Sequence, residues 1–304
     1  MGNEGDVKVP VTRYERFQKV LAVLRCPGCQ KIGFEFEFDA EKPEAKAQLT
    51  GIIRCLHCVK TFVSEEGIVD LLPDGPTGLT IAQWSGQTGA VSWLYERIWR
   101  KRALGLMTGQ PFPPEREYQV LAEYLQSSLA ATSHLFLDLA CATGYYGRAL
   151  VDFLQKNHRG DGADSVIGLD ISRPMLQQAL EYARESQTLD HTIFIRADAT
   201  SLPLADGCLA GIACGGSLNE YRDAFRVLVE GKRVLERQKG RYFVMNLLKP
   251  ETAGEKILQS TLTFGSGLTF FTKAEVKDLF YRAGLELGRH ETVGLVAFSE
   301  LNRK

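Results

Sequence analysis

The stretch HLFLDLACATGYY, residues 134–146, decides the fold of this chain. It begins as a short apolar run of the kind that a buried parallel strand needs, reaches Asp138, and then turns through small residues into a helical pattern. Small residues in such a turn let the backbone approach a ligand closely, and the first helical turn offers unpaired N–H groups. The stretch therefore predicts a cradle for a nucleotide-type ligand. An ordinary tight turn is the alternative, because Gly144 and Gly147 are the only glycines of residues 134–147.

Three more apolar runs follow, and each leads to a polar or small residue: residues 166–169 lead to Asp170, residues 192–195 to Asp198, and residues 209–213 to Cys214. The carboxyl ends of parallel strands meet at one edge of a sheet, so Asp138, Asp170 and Asp198 are expected side by side. An acidic residue at the end of the second strand of a βαβ unit is where ribose hydroxyls are usually bound. The alternative is that the three acids only cap the strand ends.

With this combination the sequence resembles the class I S-adenosylmethionine-dependent methyltransferases over residues 115–300. The resemblance implies an α/β fold with a Rossmann-like, seven-stranded sheet, and S-adenosyl-L-methionine as the methyl donor. It places Asp138 and the turn of Ala140, Ala142 and Gly144 at the methionine end of the donor, although Ala140 and Ala142 stand where the family commonly has glycine. Further donor contacts are implied at the later strand ends: Asp170 for the ribose, Asp198 and the Ala199 N–H for the adenine, and Ile171 and Cys214 beside them.

The same resemblance places acceptor-facing groups in the loop after the fourth strand, which carries Ser217, Asn219, Glu220 and Tyr221. Glu220 or Tyr221 is expected to orient or deprotonate an acceptor, since general-base catalysis needs a proton acceptor within hydrogen-bond reach. Ser217 and Asn219 are expected to contact the acceptor. The competing interpretation has Asn219 as the cap of the following helix and Glu220 in its first turn.

Aromatic acceptor contacts are expected from three segments: Tyr95 and Trp99 in residues 86–109, Tyr145 and Tyr146 after the cradle, and Phe264 in residues 247–271. Residues 86–109 have a helical pattern that interleaves aromatic residues with cations, and such a surface can cover a planar substrate. Residues 247–271 are predicted to form a lid. The alternative for the aromatic helix is that its aromatic side packs onto the main domain.

Two C-x-x-C pairs precede this domain, Cys26 with Cys29 and Cys55 with Cys58. Each pair can form a tight turn whose backbone N–H groups face the thiolates, and two such turns supply the four tetrahedral ligands of a structural zinc ion. Strand patterns between them connect the two turns, so the spacing predicts a zinc ribbon. The alternatives are cysteine turns without metal and a redox dithiol, which usually needs only one pair.

Length and composition bound the number of domains. A chain of 304 residues can form one large domain and a small one, and the Pro/Gly cluster at residues 73–76 marks a boundary. We predict a zinc-ribbon domain over residues 1–75, an aromatic helical linker over residues 76–114 and the donor-binding domain over residues 115–304. The content of 44% hydrophobic and 24% charged residues is typical of a soluble globular protein.

Charge and targeting signals restrict the partners and the compartment. The net charge of −1 gives no overall attraction for polyanions such as RNA, and no apolar run approaches the roughly 20 residues of a membrane span. The N-terminus lacks the pattern of a secretory signal, so the seven cysteines indicate a reducing compartment. This predicts the cytoplasm, or the plastid stroma or a plastid lipid globule if the protein is from a plant or an alga.

A zinc ribbon ahead of a class I domain narrows the resemblance to two groups. One is the chloroplast and cyanobacterial methyltransferases of the type 11 group, associated in plants with lipid globules, and the other is the large-subunit ribosomal RNA guanine-N1 methyltransferases. The chain is more similar to the first group at Cys26-Pro27, in residues 94–100 and in residues 270–272, but departs from it at residues 218–221. We therefore expect methylation of a small, largely apolar acceptor such as a quinone, a phenol or another secondary metabolite. The alternatives are an RNA base methyltransferase and a non-catalytic protein that retains the donor fold.

Overall fold

The computed structural model describes residues 11–41, 44–72, 74–75, 101–157, 164–250 and 268–304, with residues 101–103 described by their backbone alone. Within these ranges the chain forms eleven strands: β1 Phe34–Phe38, β2 Gly51–Cys55, β3 Thr61–Glu65, β4 Ile68–Asp70, β5 Leu135–Leu139, β6 Ser165–Asp170, β7 Thr192–Arg196, β8 Gly211–Gly215, β9 Arg241–Leu247, β10 Leu285–Val293 and β11 Val296–Arg303. The α-helices of the same ranges are α1 Arg13–Val23, α2 Ala45–Gln48, α3 Lys101–Thr108, α4 Pro114–Leu125, α5 Tyr145–Lys156, α6 Arg173–Glu185, α7 Ala224–Val234 and α8 Lys273–Arg282.

The centre of the sheet is parallel, with β7, β6, β5, β8 and β9 hydrogen-bonded in that order. Every residue of β5 is buried. Strands covered on both faces need continuous apolar sequence, which explains why the run before Asp138 shows no polar alternation. The hairpin of β10 and β11 completes the sheet with β11 antiparallel to β9. The result is a mixed sheet in an α/β fold.

The prediction of seven strands is wrong, because the N-terminal strands belong to the same sheet. The strand order is β1-β2-β3-β4-β7-β6-β5-β8-β9-β11-β10. β4 pairs in parallel with β7, with Ile68 opposite Phe194 and Asp70 opposite Arg196. Without β4, the β7 backbone would present unpaired N–H and C=O groups at an exposed edge. The short strand β4 therefore covers an edge that seven strands would leave open.

The N-terminal segment also shares its core with the rest of the sheet. Phe17 and Val20 of α1, and Leu24 just after it, are fully buried in the same apolar cluster as Ile193 and Ile195 of β7. The cysteine turns and the carboxyl edge of the parallel strands thus belong to one packed unit. None of the described helices is long and apolar enough to cross a membrane.

Candidate active site

Asp138, near the end of β5, fixes the start of the helix that follows. The Gly147 N–H donates to Asp138 Oδ2 at 2.6 Å, and Asp138 is 1% exposed. Gly147 lies in the first turn of α5, where N–H groups lack intrahelical partners and where a negative charge complements the helix dipole. Asp138 therefore connects the end of β5 to the start of α5. This is the capping role that the sequence analysis gave as the alternative to ligand binding.

The turn between β5 and α5 places three alternating residues in the left-handed conformation. Ala140 has φ 53°, Ala142 has φ 47° and Gly144 has φ 75°. Glycine adopts such angles freely, whereas an L-residue with a Cβ loses roughly 1–2 kcal/mol there. The two alanines thus adopt a backbone conformation that favours glycine, at the expense of local strain.

Asp170, at the end of β6, is held by two backbone donors. The Ala142 N–H donates to Oδ2 and the Ser172 N–H donates to Oδ1, both at 2.8 Å. Burial raises the pKa of Asp170, and the N–H groups of Ser172, Ala142 and Ile171 oppose this by stabilising the ionised form. No cation forms an ion pair with Asp170 in the described part of the chain. A buried carboxylate oriented in this way is suited to accept from a pair of neutral hydroxyls.

Asp198 lies after β7 and begins a short 3₁₀ turn over Ala199–Ser201. The N–H and the hydroxyl of Thr200 both donate to Asp198 Oδ1 at 2.8 Å, so these two hydrogen bonds do not use Oδ2. The Ala197 N–H donates to the Asp170 carbonyl at 3.1 Å, which brings the ends of β6 and β7 together. The three predicted acids therefore lie at one edge, as their strand positions require.

Glu220 ends the 3₁₀ turn Ser217–Glu220 that follows β8. Burial raises the pKa of Glu220 to about 7, and the Asp170 carboxylate adds to the shift. Glu220 therefore lies within electrostatic range of Asp170. A carboxyl group with this pKa is half ionised near neutral pH and can exchange a proton there.

Asn219 is a structural residue in this arrangement. Its side-chain amide donates to the carbonyls of Leu247 and Thr269 at 3.0 and 2.6 Å, and its Oδ1 accepts from the Leu247 N–H at 2.7 Å. The predicted acceptor contact is therefore replaced by contacts that fix the turn to the end of β9. The competing interpretation of Asn219 as a helix cap is wrong as well, because Asp223 accepts from the Arg226 N–H and caps α7.

Three buried residues lie near Glu220 in the sequence: Cys214 of β8, Ser217 of the turn and Tyr221 directly after it. Cys214 Sγ is 3.1 Å from Ser217 Oγ, and the three side chains are less than a tenth exposed. Burial raises the pKa of the Tyr221 hydroxyl well above its ordinary value and raises the pKa of the Cys214 thiol to about 11. Both groups stay protonated at neutral pH, so of the two predicted catalytic residues only Glu220 has the pKa of a base.

The predicted acceptor contact of Tyr146 does not agree with its position, because Tyr146 is 4% exposed. Its hydroxyl donates to Glu117 and lies 3.5 Å from Met245 Sδ. Its ring covers Gly215 so closely that a Cβ added there would lie 1.8 Å from the ring, so only glycine fits. Tyr145 is partly exposed and packs against Tyr118 with ring centroids 5.1 Å apart.

The other three predicted aromatic contacts, Tyr95, Trp99 and Phe264, lie outside the described residues, as does most of the predicted lid. The described parts of that lid are its two ends. The Lys249 N–H donates to the Phe271 carbonyl at 2.6 Å, which brings these ends together beside Asn219. The segment between them therefore begins and ends next to the acceptor-side turn.

Comparison with known proteins agrees with this geometry. Residues 136–238 match the family described as methyltransferase domain. The chain is 27% identical over 284 residues to an uncharacterised chloroplastic methyltransferase of Arabidopsis thaliana, which covers 86% of this chain and 73% of that protein. It is 35% identical over 111 residues to a demethylmenaquinone methyltransferase of Lactiplantibacillus plantarum, which covers 36% of this chain and 44% of that protein.

This chain is an S-adenosylmethionine-dependent methyltransferase. The matched residues run from β5 to the end of α7 and include the three acids at the strand ends. Among solved structures, the 4+2 cyclase SpnF aligns with a TM-score of 0.54 at 17% identity, over 75% of this chain and 98% of that chain. This last likeness concerns the fold alone, because the same fold can hold unrelated reactions.

The methyltransferase has a cluster of four cysteines in its N-terminal segment. Cys26 Sγ is 3.6 Å from Cys58 Sγ, Cys29 Sγ is 3.7 Å from Cys55 Sγ, and all four sulfur atoms lie within 4.8 Å of one another. These distances are far above the roughly 2.05 Å of a disulfide. Zn–S bonds of about 2.3 Å in a tetrahedron place the sulfur atoms about 3.8 Å apart, so the cluster fits zinc.

Two charged residues outside the sequence-based prediction contact segments next to the methyltransferase site. Arg196 at the end of β7 pairs with Asp70 of β4 at 2.9 Å, beside the donor-side acids. The sequence signal that could have identified Arg196 is a single cation at the end of an apolar strand, which needs a carboxylate partner when it is buried. Glu117, the partner of Tyr146, is 3% exposed. It shares the helical spacing of the apolar residues Val120 and Tyr124, which is the signal for a buried carboxyl.

Proposed function

We propose that this methyltransferase acts on a small, largely apolar acceptor with an ionisable hydroxyl, such as a phenol or a hydroquinone, and that Glu220 removes the acceptor proton. The observation that supports the proposal is the pKa of Glu220, which burial raises to about 7. General bases are most effective when their pKa lies near the working pH. A phenol is weakly acidic, so it gains more from a base than an acceptor that is already ionised.

The donor is proposed to bind along the ends of β5, β6 and β7. Asp170 accepts from the ribose hydroxyls, since the Ala142 and Ser172 N–H groups already orient its two oxygens. Asp198 keeps Oδ2 for the adenine amino group, because Thr200 donates to Oδ1 alone. Paired hydroxyls suit a carboxylate and an exocyclic amine suits an acceptor, so the edge fits S-adenosylmethionine. The donor supplies a methyl group bound to a sulfonium sulfur.

Glu220 is proposed to prepare the nucleophile. It accepts the hydroxyl proton, and the phenolate that forms is nucleophilic at its oxygen and at the adjacent ring carbons. The bond from that atom to the methyl group forms while the methyl–sulfur bond breaks, and the sulfur keeps the electron pair. Alignment of the two reactants and exclusion of water supply the rest of the rate increase. Tyr145 is a described, partly exposed aromatic residue that can line the acceptor space.

Two observations support an apolar acceptor over RNA. The similarity to a demethylmenaquinone methyltransferase covers 36% of this chain and favours a quinone-type acceptor. The net charge of the chain is −1, whereas binding to RNA depends on cations that neutralise phosphates. The burial that raises the pKa of Glu220 also favours an acceptor that leaves little water beside this side chain.

The acceptor class is tested with purified full-length protein and a methyl-labelled donor. We expect label to enter a small hydroquinone or phenol, extractable into organic solvent, and none to enter total RNA. Label in RNA instead would contradict the proposal and support the RNA base methyltransferase. Binding of S-adenosylhomocysteine without transfer to either pool would support the non-catalytic alternative.

We further propose that the four cysteines hold one structural zinc ion. Four thiolates complete a tetrahedral shell and leave no position for a substrate. His57 is not part of the cluster, since the ligand atoms that lie within 4.8 Å of one another are the four cysteine sulfurs.

Elemental analysis tests the metal with a matched pair of variants. One zinc per chain is expected in the wild type and in Cys208→Ser, which alters a half-buried cysteine outside the cluster. The zinc is expected to be lost in Cys55→Ser. Wild-type protein without metal but with normal stability would contradict the proposal.

A further inference from the structure

Three charged residues of different origin share one row of the sheet. Arg196 ends β7, and its register partners are Asp70 on β4 and Asp170 on β6. Asp70 comes from the N-terminal segment, whereas Asp170 is the proposed ribose acceptor. Arg196 thus lies between a carboxylate of the cysteine-rich segment and a carboxylate of the donor site.

The guanidinium of Arg196 is fixed by three contacts. Its Nη1 donates to Asp70 Oδ2 at 2.9 Å and to the Leu72 carbonyl at 3.3 Å, and its Nε donates to the Ile171 carbonyl at 3.2 Å. The side chains of Arg196 and Asp70 are only 12% and 14% exposed. Ile171 directly follows Asp170, so Arg196 connects β4 to the backbone of the ribose-side loop.

We propose that Asp70 and Arg196 are positioning residues of the donor site, which makes the N-terminal segment a part of that site. Arg196 holds the Ile171 carbonyl and thereby the loop that carries Asp170, and Asp70 holds Arg196 to itself and away from Asp170. The Asp170 carboxylate consequently forms no ion pair with Arg196 and can accept from the ribose hydroxyls. The inference rests on the proposed donor role of Asp170.

The cysteine cluster connects to the same pair through the sheet. Cys55 ends β2, which pairs with β3, and β3 pairs with β4, where Asp70 lies. A second connection begins one residue before Cys26, where the Arg25 N–H donates to the Pro203 carbonyl at 3.0 Å. Order at the cysteine cluster therefore supports order at the ends of β7 and β6.

The test compares Asp70→Asn with Glu65→Gln in the full-length protein. Glu65 is 57% exposed and pairs with Arg173 at 2.6 Å, so its substitution breaks an ion pair between the same two parts of the chain. Arg173 also lies 3.6 Å from Asp70 Oδ2, and Glu65→Gln removes neither this contact nor those of Arg196. Asp70→Asn is expected to weaken S-adenosylhomocysteine binding about tenfold in calorimetry, the loss of one hydrogen bond to a charged group. Glu65→Gln is expected to change the affinity less than about twofold, since exposed pairs contribute little.

A kinetic readout separates positioning from general stability. Asp70→Asn is expected to raise the KM for the donor and to leave kcat at saturating donor and the KM for the acceptor unchanged. Arg196→Lys provides a second variant, because the lysine keeps the positive charge but has no Nε–H for the Ile171 carbonyl. It is expected to weaken S-adenosylhomocysteine binding to a similar extent, with the folded state confirmed by circular dichroism.

Equal affinities of Asp70→Asn and wild type would overturn the inference, and so would an equal loss in Asp70→Asn and Glu65→Gln. Either result would leave the proposed function intact as long as the wild type binds S-adenosylhomocysteine and Asp170→Ala binds it more weakly. Failure of the wild type to bind S-adenosylhomocysteine would instead contradict the proposed donor site itself.

Discussion

The donor half and the acceptor half of the sheet edge treat their carboxyl groups differently. On the donor half, Asp138, Asp170 and Asp198 each accept from a backbone N–H group of the segment that follows. On the acceptor half, Glu220 has no hydrogen bond within the described residues, and burial raises its pKa to about 7. Backbone N–H groups replace water around an ionised carboxylate, whereas a buried carboxyl without them is protonated more easily. The difference predicts that the donor half binds the methyl donor through oriented carboxylates and that the acceptor half exchanges a proton with the acceptor.

The largest expected effect is on turnover, from Glu220→Gln. The amide keeps the size of the side chain but cannot accept a proton, so kcat should fall by roughly 10²–10⁴. Calorimetry with S-adenosylhomocysteine should show the donor affinity unchanged. Glu185→Gln, at an exposed position at the end of α6, is the matched control and should retain full turnover. A Glu220→Gln enzyme with wild-type turnover would remove the functional difference between the two halves.

Substitution of Asp170 should have the opposite pattern. Asp170→Ala leaves the ribose hydroxyls without their acceptor, a loss of roughly 1–3 kcal/mol in S-adenosylhomocysteine binding free energy. Asp152→Ala, in an exposed pair with Lys156 on α5, is the control and should bind normally. Calorimetry on folded protein measures both. If Asp170→Ala binds S-adenosylhomocysteine as the wild type does while Glu220→Gln binds it poorly, the assignment of the donor half and the acceptor half is reversed.

The positions of the donor-side acids were predictable from sequence, and the reason is geometric. Asp138, Asp170 and Asp198 each follow an apolar run long enough to be a buried strand, and parallel strands bring their carboxyl ends to one edge. The tight turn after β5 was also indicated by its small residues, although its left-handed conformation at Ala140 and Ala142 was not. Local sequence carries this information because strand, turn and helix are consecutive in the chain.

Contacts between distant segments were not predictable. The strand β4 has three residues and pairs with β7, and Asp70 and Arg196 are separated by 126 positions, so no periodicity connects them. Tyr146 was predicted to face the acceptor, but its ring packs on Gly215 and its hydroxyl donates to Glu117, so it is buried in the core. Its burial depends on one residue from a strand and one from a helix that precedes the cradle. Only the folded chain brings such partners together.

Stability should depend on pH through Glu220, in the direction set by its pKa. The pKa in the folded protein, about 7, is above the ordinary value of 4.5, so the folded state holds a proton that the unfolded chain releases. The stabilisation is complete at low pH and is lost as the pH rises through about 7. Glu220→Gln, which removes this charge, should therefore be more stable than wild type at pH 8 by up to about 3 kcal/mol. Denaturant unfolding at pH 5 and pH 8 measures the difference, and an equal stability of both proteins at pH 8 would contradict the buried character of Glu220.

The smallest expected effect concerns the donor half alone, at Ala142. Its φ of 47° strains an alanine by roughly 1–2 kcal/mol, and glycine removes that strain. Glycine also gains freedom in the unfolded chain, which offsets roughly 0.4–1 kcal/mol, so Ala142→Gly should stabilise the protein by about 0.5–1 kcal/mol. The same change at Ala149, in the middle of α5, should destabilise it by about 1 kcal/mol and serves as the control. Because the Ala142 N–H already donates to Asp170 from a glycine-like backbone, S-adenosylhomocysteine affinity should stay within about twofold of wild type. Destabilisation by Ala142→Gly in denaturant unfolding would mean that the methyl group contributes packing that exceeds the strain, and that the turn is held by its side chains as well as by its backbone.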